Sequence, residues 1–166
     1  MKNEFEILSL YGMSIGYPKT ARLELNRKST RELGDVVFHF DRREKIVLSW
    51  GDLAEARRHY EDANAQAVAS IERAKKSHQI RNMQSVERKD LPLHSHQAVY
   101  NHMRFEVVSR GILRERKIAE QETHSVHIHC PQSGRFYVLY GSATSSPDVS
   151  DQRSVLLEMV SSLKCH

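Results

Sequence analysis

The chain has 166 residues, a net charge of +4, 39% hydrophobic and 28% charged residues. That is a balance for one domain with a real core; it excludes a disordered or low-complexity chain and is too short for two comfortable domains. Lysines and arginines are dispersed among acids ("DRREK", "ERKD", "LRERK"), so the charge describes a solvated surface rather than the basic stripe of a nucleic-acid binder.

The first residues do not read as a signal peptide, because Glu4, Glu6, Ser9 and Gly12 break the apolar run. No stretch is apolar for long enough to cross a bilayer. These features lead us to expect a soluble protein of the cytoplasm. "GMSIGYP" is a short extended segment, freed by Gly12 and Gly16 and ended by Pro18. "ARLELN" (21–26) alternates and predicts a half-buried strand. "GDVVFHF" (34–40) and "KIVLSW" (45–50), separated by "DRRE", predict a hairpin.

Asp52 is a good N-cap, with Glu55 completing a capping-box pattern. Leu53, Ala56, Tyr60, Ala63, Ala67, Ile71 and Ala74 then recur every three or four residues and predict one long helix over about 52–76. Its alanines let it lie close to a sheet, or pack on a second copy in a homodimer. "MQSVERKDL" (83–91) is weakly strand-like, and "HSHQAVYNHMRFEVVS" (94–109) strongly so. "GILRERKIAEQE" reads as a charged connection with room for a ragged strand start. "THSVHIHC" (123–130) alternates, "PQSG" turns, and "RFYVLYGSA" (135–143) is apolar on both faces, as expected of a strand covered on both sides. A last helix is predicted over about 150–164, capped by Ser150 or Asp151, with Val155, Leu156, Met159, Val160 and Leu163 inward. Strands, helix, strands, helix, without βαβ alternation, make the fold class α+β. Helices on opposite sides give a three-layer α-β-α sandwich around an antiparallel sheet, spanning residues 1–166 as a single domain.

Three features then carry a resemblance: the strand ending in Tyr17-Pro18, the aromatic strand "GRFYVLYGSAT" closing on Gly141-Ser142, and "LLEMVSSLKC" with its Ser162-Leu163-Lys164 finish. With "HQAVYNHMRFEV" between them, their order over residues 12 to 165 resembles the PsbP-like family. That family includes the photosystem extrinsic protein PsbP and a Ran-GTPase-binding nuclear transport factor. The resemblance implies the same three-layer sandwich and a non-enzymatic binding or assembly role with another protein as partner. It does not choose that partner. Photosynthetic members carry targeting peptides, which this sequence does not show, and no residue carries over the Ran role.

No chemical signature dominates. "PQSGR" lacks the G-x-S-x-G turn of a nucleophilic hydrolase, and the seven glycines form no phosphate-binding cluster. The histidines stand out, at ten in 166. His39, His59, His78 and His102 are isolated, as surface or hydrogen-bonded residues. On strand alternation His94 and His96 share a face; His127 and His129 share one with Ser125; Val126, Ile128 and Cys130 share the other with His124. A metal-binding protein or metal-dependent hydrolase would need His94, His96, His127 and His129 to converge.

The two cysteines pose a second question. A helix of about 14 residues spans about 21 Å and eight strand residues about 27 Å, so the last helix nearly retraces the last strand. Cys165 and His166 are thereby expected near Cys130. Three readings stay open: a buried apolar Cys130 with a frayed Cys165-His166, a Cys130–Cys165 disulfide, or a zinc site of His129, Cys130, Cys165 and His166. Against zinc, His129 and Cys130 face opposite ways unless Pro131 bends the strand.

Overall fold

The structure is a computed structural model that describes residues 4–40, 44–93, 96–111, 115–144 and 152–166. Strands β1 (Phe5–Leu10) and β2 (Met13–Pro18) form a separate antiparallel hairpin. Seven further strands follow: β3 (Arg22–Leu25), β4 (Gly34–His39), β5 (Lys45–Asp52), β6 (Ile80–Leu93), β7 (His96–Arg110), β8 (Arg116–Cys130) and β9 (Arg135–Thr144). They build one sheet in the order β3-β4-β5-β9-β8-β7-β6, every neighbouring pair antiparallel. Helices α1 (Leu53–Arg57) and α2 (Ala63–Lys75) lie on one face, and α3 (Gln152–Ser162) lies on the other. The architecture is α+β, and antiparallel throughout.

Alternation sorts each strand between the two faces. On the α3 face, Ile46, Leu48 and Trp50 of β5, Tyr137 and Leu139 of β9, and Val126, Ile128 and Cys130 of β8 form one core with Leu156, Met159, Val160 and Leu163. The β1–β2 hairpin adds Met13, Ile15 and Tyr17 to that core. This outer layer is therefore part hairpin and part helix. The strand character of β1 was hidden because Glu4, Glu6 and Ser9 interrupt its apolar residues.

The long helix expected over 52–76 is two helices. Asp52 caps α1 by accepting from the Glu55 amide at 2.8 Å, but the Glu55 carboxylate turns to Arg58 instead of closing a capping box. The chain leaves the helix after Arg57. Asp62, in an extended conformation, caps α2 by accepting from the Ala65 amide at 2.7 Å. A second aspartate cap inside an apolar stripe was the breaking signal. Ala63 and Ala67 are fully buried against Val99, so small side chains do bring α2 close to the sheet.

Two other boundaries shift. The strand start allowed within the charged connection before 123 is long: β8 begins at Arg116 and pairs with β7 back to Arg110. Strand β6 begins at Ile80, irregular around Asn82, whose φ is 50°. The cap expected at Ser150 or Asp151 lies outside the described residues.

Candidate functional site

The turn after β8 decides which side chains meet at one end of the sandwich. Pro131 to Gly134 reverse the chain, with Gly134 at φ 67°, a left-handed conformation that glycine adopts without strain. Helix α3 returns toward the same end. Beyond it, Lys164 exchanges two backbone hydrogen bonds with Ser14 of β2, at 2.9 and 2.8 Å. Arg135 and Tyr137 donate to the Cys165 carbonyl at 3.4 and 3.3 Å. The 164–165 backbone is thus tied down, and Cys165 is buried rather than frayed.

The donor atoms of His96, Cys130 and Cys165 all lie within 4.8 Å of one another. The His166 Nδ1 is 3.7 Å from the Cys130 sulfur, and its ring stands edge-on to His96 at 5.4 Å between centroids. Both cysteines are free thiols. Burial, with the Cys130 thiol beside it, pushes the Cys165 thiol up to about 12, so it is protonated at neutral pH. The Ser133 amide donates to the Cys130 sulfur at 3.3 Å.

Of the four residues in the zinc reading, the structure brings three to one place and puts His129 elsewhere. Pro131 does not bend the strand enough to change the face. His129 Nε2 donates to the Gln66 Oε1 of α2 at 2.7 Å, on the opposite side of the sheet. Burial lowers its pKa, and Arg57 lowers it further. His96 takes its place beside the sulfurs. No local signal announces this: His96 opens β7, and the pairing of the next residue, Gln97, with His129 at the end of β8 is long-range and invisible without the sheet.

The four-histidine centre does not assemble among the described residues. His96 is with the thiols on the α3 face, while His127 and His129 are on the α2 face; His94 lies outside the described residues. A different cluster was missed. His102 Nε2 donates to Glu122 at 3.0 Å, Arg104 donates to the same carboxylate at 2.8 Å, and Tyr100 is hydrogen-bonded to His124 at 2.8 Å. The Arg104 hydrogen bond holds Glu122 below the usual carboxylate range. A guanidinium already on the carboxylate makes this an ion-pair network rather than a cation site.

The α2 face is covered unevenly. Helix α2 lies over β6, β7 and β8 and stops short of β5 and β9. Strand β9 is consequently covered less on that side, where α1 reaches it: Tyr137 and Leu139 are fully buried, whereas Phe136 and Val138 on the other side are half-buried and Tyr140 is 39% exposed. Beside α2 opens an apolar groove of about 410 Å³, lined by Ile71, Met103, Phe105, Val138 and Tyr140 with His127 at its floor. It runs into a second depression that reaches Phe136 and Leu33, the latter 66% exposed. His127 Nδ1 is buried and has no hydrogen-bond partner among the described residues. Burial brings its pKa down to about 4, with His129 adding to the effect.

No protein-family profile matches the sequence, and no curated protein matches it. Solved structures do. The Ran-binding protein Mog1p of Saccharomyces cerevisiae matches with a TM-score of 0.64 at 11% identity, over 99% of this chain and 96% of that one. Cyanobacterial PsbP (CyanoP) from Synechocystis sp. PCC 6803 matches at 0.61 and 10% identity, over 100% and 95%. A point mutant of Mog1 matches at 0.63 and 11%, over 98% and 96%. The chain has a PsbP/Mog1-like fold, as the resemblance implied. Among the described residues no helix is long and apolar enough to cross a membrane.

Proposed function

We propose that this chain is a non-enzymatic domain that binds another protein through the half-open α2 face of its sheet. The observation that carries the reading is that groove. Val138, Tyr140, Phe136 and Leu33 present apolar and aromatic surface where α2 stops short of β5 and β9. Aromatic side chains set in a partly desolvated depression are what protein interfaces use as anchors. Mog1p, described as Ran-binding, shares the fold; that likeness supports protein recognition as the class of activity, while the partner depends on the side chains of this surface. The reading places the domain in the cytoplasm, where a reducing poise keeps Cys130 and Cys165 as thiols.

The test is site-specific photo-crosslinking in native cells, with the reactive group at Tyr140 or, as a control, at Ile7, 75% exposed on β1. A discrete partner is expected from Tyr140 and not from Ile7. With that partner purified, Tyr140→Ser should weaken binding by about tenfold or more. Equal crosslinking from both positions overturns the reading. Crosslinks only to a second copy of the chain would make the face a homodimer contact instead.

A further inference from the structure

We propose that His96, Cys130, Cys165 and His166 bind one zinc ion as a structural clasp joining β7, β8 and the segment after α3. Three donors of the right kind are already gathered, and a fourth stands beside one of them. Two sulfurs and an imidazole lie within 4.8 Å of one another, and the second imidazole is 3.7 Å from Cys130. In a tetrahedral zinc site, with bonds of about 2.0–2.3 Å, the ligand atoms stand roughly 3.3–3.8 Å apart. The first three therefore need a contraction of about an ångström, on a backbone held by the Ser14–Lys164 pair, and the exposed terminal His166 side chain turns in from Cys130 to complete the set.

The surroundings fit a thiolate centre. The Ser133 amide already donates to the Cys130 sulfur, as an outer-shell group would. Two thiolates and a divalent cation sum to zero charge, which suits a buried place next to the Arg135 guanidinium. Binding releases the two thiol protons. Thiolate and imidazole together select zinc over harder cations. With four protein ligands no coordination position stays open, so the site holds structure and does no hydrolysis.

The test uses the full chain, reduced and stripped of metal, titrated with cobalt(II) and then with zinc. Expected are thiolate-to-cobalt charge transfer in the near ultraviolet and the visible bands of tetrahedral cobalt, saturating at one ion per chain and lost when zinc displaces it. Cys130→Ser and Cys165→Ser should abolish the bands. Because both cysteines are buried and these variants risk misfolding, His166→Ala at an exposed position and His96→Gln carry the decision. Each should weaken cobalt binding by at least about tenfold with the fold intact by circular dichroism. His59→Ala, an exposed control just after α1, should change nothing. Uptake far below one ion per chain overturns the proposal. So do bands indifferent to His96→Gln and His166→Ala, and so does a Cys130–Cys165 disulfide in protein isolated under thiol-blocking conditions.

Discussion

On the α3 face of β8, Val126, Ile128 and Cys130 are completely buried, beneath a layer shared by α3 and the β1–β2 hairpin. On its α2 face, the same stretch presents Ser125, His127 and His129 to a single short helix. Both faces exclude water from this strand, but only one does so with apolar atoms. The difference follows from how much cover each face receives. Where two elements seal the sheet, apolar residues fill the middle of the face, and the buried polar side chains His124, Arg135 and Gln152 each make a hydrogen bond. Where one helix stops short, polar side chains are buried next to an open groove, and their electrostatics become sensitive to pH and to whatever fills it.

Adjacent residues of β9 give the strongest test of that contrast. Leu139 is fully buried on the α3 face, and Val138 lines the groove on the other. Leu139→Ala should cost about 2–5 kcal/mol in urea unfolding, since it leaves a cavity in a closed core. Val138→Ala should cost about 1 kcal/mol, because its side chain is already partly in solvent. Equal losses would mean that the two faces are sealed alike.

The next effect is electrostatic. His127 is neutral in the folded chain, its pKa near 4 against 6.5 when unfolded. Above pH 6.5 neither state is protonated, and stability from this group is complete. Between pH 6.5 and 4 the unfolded chain takes up the proton first, so stability falls with pH, by about 3 kcal/mol in all. His129 lies beside it on β8, and Arg73 and Tyr140 line the adjoining groove. The measurement is thus a difference: His127→Leu should flatten the pH dependence of unfolding across this window, relative to the parent protein. An unchanged slope would show that water or a polar neighbour already satisfies the ring.

These faces were legible in the sequence to unequal degrees. Period-two alternation assigned Val126, Ile128 and Cys130 to one side and His127 and His129 to the other, because side-chain direction along a strand is local. The nearness of Cys165 and His166 to Cys130 was also readable, since helix rise and strand rise fix how far a chain returns. His96 was not assigned to the cluster, because strand order is set by pairings remote in sequence. Nor was the thin cover of β9 on the α2 side: apolar residues on both faces signal the need for cover, and only the lateral position of α2 says how much of it arrives. The helix break at 58–62 was in reach, as Asp62 stands where an N-cap belongs, but the continuing alanine period masked it.

That break controls how α2 is aimed over the sheet. Asp62→Ala removes the side-chain acceptor of the Ala65 amide and should cost about 1 kcal/mol. The loss should be accompanied by faster amide exchange in the first turn of α2 and not in α3. Exchange that rises equally in both helices would indicate global destabilisation, and the cap would have no local role.

The smallest expected change in stability is the most informative about function. Tyr140 is 39% exposed, and its ring contributes to the groove rather than to the closed core. Tyr140→Ser should shift unfolding by no more than about 0.5 kcal/mol, as for surface positions generally. The same substitution should weaken capture of the partner by about tenfold or more. A residue that the fold does not need, yet binding does, is the mark of a surface shaped for contact. If Tyr140→Ser instead destabilises the chain as much as Leu139→Ala, the groove is part of the core. The α2 face would then offer no open surface, and the protein-binding reading would have to move elsewhere on the molecule.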